Sequence, residues 1–175
     1  MKSVTFNIIK GVKRMNNFNL SIFIAISFLF AACIYNVDAQ NPKNSRAWEI
    51  LLQEKHCGIY EPKNMVIKSQ KEFDALWEKS QKGIDFHPNK PKVDFEKKWV
   101  IACFLGMVNT GGHSLEIQSI QAGPAITLIT ILHKRPGPGC VTAQVIEFPY
   151  VMAAVDHFVP EKVEFKTITK DTPCE

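Results

Sequence analysis

The sequence has no C-x-x-C pair, so the clustered spacing from which structural zinc sites are built is missing. His56 beside Cys57 comes nearest, but adjacent side chains rarely chelate one ion together, and no metal ligands are assigned. A G-x-S-x-G elbow is absent as well, and Ser114, next to His113, sits in an alternating strand pattern with no base at a useful spacing. Thr110-Gly111-Gly112 lacks the lysine of a phosphate-binding loop and opens no helix, so a hairpin turn accounts for its glycines. Asp94, Glu96, Glu116 and Glu147 are scattered over several segments, which leaves no carboxylate pair for glycoside hydrolysis. Nothing around Cys140 suggests a helix N-terminus that would lower its pKa, so no thiol dyad is indicated. These absences leave no catalytic residue and no cofactor to assign, and the chain reads as a non-enzyme.

Charge of one sign is scarce too. The formal net charge is +4, from 21 basic and 17 acidic residues. Lys2, Lys10, Lys13 and Arg14 and the single acid Asp38 all precede residue 40, which leaves 17 basic against 16 acidic residues, a balance of +1, for the rest. Without a basic stripe or basic-aromatic interleaving, the footprint of a nucleic-acid binder is missing. Apolar and charged fractions of 46% and 22% lie near globular averages, which excludes a disordered chain, a fibrous repeat or a multi-pass membrane protein. The length allows one ordinary domain after a targeting segment.

What is present starts with an export signal. Residues 20–32 read LSIFIAISFLFAA, an uncharged apolar run behind Lys10, Lys13 and Arg14. Three fates are open for its end. Val37-Asp38-Ala39 offers small residues for cleavage before Gln40. Phe30-Ala31-Ala32-Cys33 resembles a lipobox, with Phe where Leu is usual, and would leave a diacylated Cys33 as the only membrane attachment. The run is marginal in length for an uncleaved anchor across about 30 Å of hydrocarbon. Each fate places the domain outside the cytoplasm, whether periplasmic, secreted or lipid-anchored in a bacterial envelope. In that setting Cys57, Cys103, Cys140 and Cys174 are disulfide candidates with three possible pairings. Cys103, inside an apolar strand-like run, reads equally as a buried hydrophobe. A Cys57–Cys174 bridge would staple the ends of the domain.

The chain divides into a signal peptide or lipoprotein leader (1–39), a linker and lead-in segment (40–56) and a single domain (57–175). Trp48, Leu51 and Leu52 recur at helical spacing, and an initial strand competes with that reading. A short strand at 65–67 leads to Ser69 and Glu72, a capping box, after which Phe73, Leu76 and Trp77 at i, i+3, i+4 predict a helix over about 70–82 that Gly83 can end. His87-Pro88-Asn89-Lys90-Pro91 is a loop. Strands are predicted at 99–105, 113–120, 125–132, 141–155 (broken by Pro149) and 163–169. Short, turn-rich links between them favour antiparallel neighbours. The expected fold is mainly β, of the α+β kind: an antiparallel sheet curled into a sandwich or open barrel with one covering helix. If the strands from 99 to 148 form an up-and-down meander, the first and third turns emerge at one edge and Gly123-Pro124 at the other.

Four blocks in order, MVIKSQKEFDALW (65–77), VDFEKKWVIACFLG (93–106), NTGGHSLEIQSI (109–120) and RPGPGCVTAQVIEFPY (135–150), resemble the C-terminal domain of the protease complex subunit PrcB family. The most specific parts are Val93-Asp94-Phe95, Phe104-Leu105-Gly106 with Thr110-Gly111-Gly112, and Pro136-Gly137-Pro138-Gly139-Cys140 running on to Phe148-Pro149-Tyr150. The family pattern has Pro before the Thr-Gly-Gly and Tyr after it, whereas here Val108-Asn109 precede and His113 follows. The resemblance implies an exported or lipid-anchored accessory protein without catalytic residues, associated with a surface serine protease that it stabilises. The partner is expected to meet the two turns, at Asn109, Thr110, Gly111 and Gly112 and at Arg135, Pro136 and Gly137, whose glycines allow close approach and whose prolines make ordering cheap. A protease inhibitor presenting hairpin loops is the alternative reading.

Overall fold

The computed structural model describes residues 45–85, 88–160 and 162–174. The apolar run at 20–32, Cys33, the cleavage site at 37–39, the first part of the linker at 40–44 and His87 lie outside the described residues. Among the described residues, no helix is long and apolar enough to cross a membrane.

Among the described residues, seven strands and one helix follow in the order β1 (Trp48–Glu54), β2 (Lys63–Ile67), α1 (Gln70–Ser80), β3 (Lys98–Phe104), β4 (Ser114–Ala122), β5 (Thr127–Pro136), β6 (Tyr150–Asp156) and β7 (Val163–Thr172). They form a four-stranded antiparallel sheet, β1-β6-β3-β2, and a three-stranded sheet, β4-β5-β7. The described residues form a β-sandwich with one covering helix, and among them no barrel closes. The lead-in segment around Trp48 is thus a strand, paired with β6 from Trp48↔Val155 to Glu54↔Tyr150.

The centre of the molecule is the β3–β6 pair, buried on both faces, which is why both read as continuous apolar runs. Trp99, Ile101 and Cys103 of β3 and Val151, Ala153 and Val155 of β6 point towards Leu115, Ile117, Ile120, Ile129 and Ile131 of the second sheet. The alternate residues Val100, Ala102, Phe104, Tyr150 and Met152 point the other way, onto Phe73 and Leu76 of α1 with Ile67, Cys57 and Ile59. The helix starts at the expected cap, with Glu72 N donating to Ser69 Oγ at 3.3 Å, while the Glu72 carboxylate reaches one residue further than a capping box requires and accepts from Lys68 N at 2.9 Å. At its far end Gly83 takes φ +75°, and the Gly58 amide donates to the Ser80 carbonyl at 2.7 Å, so close that a Cβ on Gly58 would meet Lys82 O at 2.4 Å.

Two topological expectations are corrected. Strands 3 and 4 are not neighbours in a meander: β3 pairs with β2 and β6, and β4 starts the other sheet. Residues 141–148 form no strand of either sheet, and β6 begins only after Pro149, whose missing N–H delays the ladder. The β5–β7 pair is parallel, from Thr127↔Val163 to Pro136↔Thr172, because the whole of β6 intervenes in sequence and supplies the long crossover that parallel pairing needs.

Candidate functional site

The β4–β5 hairpin carries the region of interest. Its register pairs Ser114 with Lys134, which brings the chain entering β4 beside the chain leaving β5. Gly112, at φ +90°, packs so tightly on the second turn that an added Cβ would lie 2.8 Å from Pro136 Cγ. The turns at 109–112 and 135–139 therefore adjoin, by way of this one hairpin, while Gly123 closes the turn at the opposite end with its amide on Ile126 O at 2.8 Å. A shallow cleft of about 320 Å³ lies between them, lined by Thr110, His113, Arg135, Pro136 and Gly137 among others.

The second turn is fastened from three sides. Gly137 N donates to Thr172 O at 3.0 Å, Thr172 Oγ1 donates to Arg135 O at 3.0 Å, and Cys140 is disulfide-bonded to Cys174 with their Cα atoms 5.1 Å apart. The pairing corrects the expected Cys57–Cys174 bridge. Parallel alignment of β7 with β5 delivers residue 174 to the loop after Pro136, whereas Cys57 is sealed in the core beneath the helix. Cys57 and Cys103 are free and buried. Burial pushes the Cys57 thiol up and the Cys103 thiol up to about 12, so both stay protonated at neutral pH. Arg135, at the end of β5, is not a freely projecting loop side chain: its Nε donates to Asp171 Oδ1 at 2.7 Å.

Beneath the first turn two histidines stack, with His113 Nδ1 3.0 Å from His133 Nε2 and Thr110 Oγ1 3.2 Å from His113 Nε2. Desolvation lowers both pKa values. Among the described residues, no three His, Cys, Asp or Glu side chains converge as metal ligands.

A larger groove of about 860 Å³ lies next to the cleft, between the turns and residues 140–147. The segment 143–147 runs antiparallel to 108–111: Gly111 N donates to Ala143 O at 2.9 Å, and Val108 and Glu147 exchange amide bonds at 2.9 and 3.0 Å. Glu147 lines the groove with its side chain only 8% exposed, Lys55 Nζ stands 3.7 Å from its Oε1, and its Oε2 accepts no hydrogen bond from any of the described residues. In the sequence Glu147 is one of four scattered carboxylates, with nothing beside it to mark it as buried. Its burial follows from the way 143–147 folds back over Gly111, a contact with no periodic signature.

Residues 99–156 match the family model described as PrcB C-terminal. That segment is PrcB-like. The match runs from β3 to β6 and takes in both turns, the β4–β5 hairpin and the wall formed by 140–147. The helix, β7 and Cys174 lie outside it. No curated protein and no solved structure matches the chain.

Proposed function

We propose that this PrcB-like protein is an exported, non-catalytic accessory subunit that associates with and stabilises an extracytoplasmic protease through the face made by Asn109, Thr110, Gly111 and Gly112 together with Arg135, Pro136 and Gly137. The observation that carries the reading is the Gly112–Pro136 contact inside the matched segment, which fuses two turns into one continuous surface. A loop held by prolines and a disulfide loses little conformational freedom on docking. The leader at residues 1–39 supports export, and the disulfide fits an oxidising compartment. An inhibitor has less support, because residues 136–139 are Pro-Gly-Pro-Gly and offer no long side chain for a protease specificity pocket.

The test is the lifetime of protease activity in envelope extract with and without added protein. A stabilising subunit extends it, whereas loss of turnover at stoichiometric amounts indicates an inhibitor. Asn109→Arg and Pro138→Glu place bulk and charge on the two turns without touching an internal hydrogen bond. Both should abolish the effect while the circular dichroism spectrum is unchanged. Arg135→Ala is a poorer probe, since it also breaks the Asp171 pair. Undiminished stabilisation by both turn variants rules this face out.

A further inference from the structure

The contacts of Gly111 show how the chain runs at 143–147. A Cβ built on Gly111 would meet Val145 Cγ2 at 3.4 Å, Glu147 Oε1 at 3.6 Å and Ala143 Cβ at 3.7 Å. Three alternate side chains thus share one face, which is the signature of an extended backbone. One edge of this segment faces residues 108–111 through the bonds at Ala143 and Glu147. In extended chain the amides of successive residues point to opposite sides, so Thr142, Gln144 and Ile146 present their N–H and C=O groups to the other edge. Among the described residues, nothing accepts a hydrogen bond from the backbone amides of residues 141–146. Further along the same edge, Phe148 N donates to Lys55 O at 2.7 Å, so the chain just after β1 occupies the position next to 148 and then turns away. The open edge begins where β1 leaves off.

Natural proteins protect such edges with charges, prolines or a covering element. This one carries none of these: CVTAQVI, residues 140–146, is uncharged and rich in β-branched residues, with Val141 and Ile146 102% and 58% exposed. At its end sits Glu147, a carboxylate more than nine-tenths buried, lining the groove with an oxygen, Oε2, that no donor among the described residues reaches. Lys55 Nζ, 3.7 Å from Oε1, makes an ion pair too long for a hydrogen bond and leaves Oε2 without a donor; a buried carboxylate oxygen in that state is costly, and a cationic group that reached Oε2 would relieve the cost.

We propose that residues 141–146 take up an extended segment of the partner polypeptide by strand addition, in line with β1, and that a Lys or Arg of that segment reaches into the groove to pair with Glu147. The backbone ladder supplies affinity irrespective of sequence, and the carboxylate selects a basic side chain at one position. From a place beside Val145, whose side chain shares the face of Glu147, a diagonal cross-strand neighbour with a long side chain spans the distance to residue 147. The inference deepens the reading above and rests on it for the partner's identity.

Fluorescence polarisation of the purified protein with a labelled peptide Val-Thr-Val-Arg-Val-Thr, capped at both ends, tests it. The Arg peptide should bind, a Glu-for-Arg peptide should not, and affinity should fall with salt. Glu147→Gln keeps the shape and hydrogen-bonding capacity of the side chain and should weaken binding about tenfold or more. Gln144→Pro removes one outward-facing amide that bonds nothing within the fold, and should abolish binding while the thermal midpoint is kept. Equal binding of the Arg and Glu peptides, indifference to Glu147→Gln, no binding at millimolar peptide, or a homodimer that Gln144→Pro dissolves would each overturn the proposal. Protease stabilisation that survives both variants while peptide binding is lost overturns strand addition and leaves the accessory function standing. Peptide binding without any protease effect does the reverse.

Discussion

His113 Nδ1 and His133 Nε2 lie 3.0 Å apart, so one ring must donate where the other accepts, and the pair can share a single proton but cannot carry two without repulsion. His113 comes from the chain entering β4 and His133 from β5, directly beneath the turn that holds Thr110. Glu147 and Arg135 also act on the pair, the first raising and the second lowering the His113 pKa, but desolvation is the larger cause and the net direction for both rings is down.

A histidine whose folded pKa lies below its unfolded value binds fewer protons when folded, so stability rises with pH. The stabilising contribution is present in full above about pH 6.5, the unfolded value, and is lost as pH falls through the depressed folded values. Asp74 and Asp94, whose pKa values are lowered by Lys90 and Lys97, act in the same direction but below pH 3.8. Denaturant midpoints between pH 7.5 and 5 should therefore decline. His133→Gln should flatten the decline over that range.

The helix should behave as its cap and its buried face require. Ser69→Ala removes the acceptor for Glu72 N and should cost about 1 kcal/mol. Phe73, at 0% exposure, anchors α1 between Trp77 and Phe95, and Phe73→Ala should cost about 3–5 kcal/mol. Trp77 is only half-buried, so Trp77→Ala should cost less than Phe73→Ala. Urea melts of the three variants give the order.

The helix was legible because its signals are local: a capping box, apolar residues at i, i+3, i+4 and a glycine after the last turn. Strands were legible where apolar residues alternate, as in β4 and β7. The pairing of strands was not, since β3 and β6 come together across 45 residues and nothing within either run names its partner. Cys140 and Cys174 were visible as candidates, but their union depends on β7 lying parallel to β5, which no local pattern encodes. The two turns were found from their glycines and prolines. Glu147, the groove's one buried charge, was passed over because burial by a non-repeating loop leaves no period to read.

Tyr150 Oη is buried and has no hydrogen-bond partner among the described residues, and burial, with smaller contributions from Cys57 and Glu54, pushes its pKa up to about 12. The ring itself stacks on Phe104 with centroids 5.7 Å apart. Tyr150→Phe keeps the stacking and removes an unsatisfied hydroxyl, so it should raise stability by about 1 kcal/mol. A lowered thermal midpoint would refute this.

Opening the disulfide should act on the turn more than on the cores. Cys140 and Cys174 are 34 residues apart, and replacing both with Ser should cost about 2–4 kcal/mol. Hydrogen exchange at the Gly137 and Cys140 amides should accelerate far more than at β3. The Asn109→Arg and Pro138→Glu assays then have a third arm, in which the reduced protein should lose protease stabilisation while still folded.

The two-faced burial of β3 and β6 has a bearing on how the chain finds its alignment. In a strand with one wet face, a slip of one residue drives apolar side chains into water, and polarity alone forbids it. Here either face is dry, so polarity is silent and only size can object. A one-residue slip of β6 would thrust Tyr150 and Met152 between the sheets, where Val151 and Ala153 now fit, and would leave the helix resting on small residues. Alignment of the central strands is thus enforced by volume, and an Ala153→Leu change, harmless by hydrophobicity, strikes at the one discriminator they have.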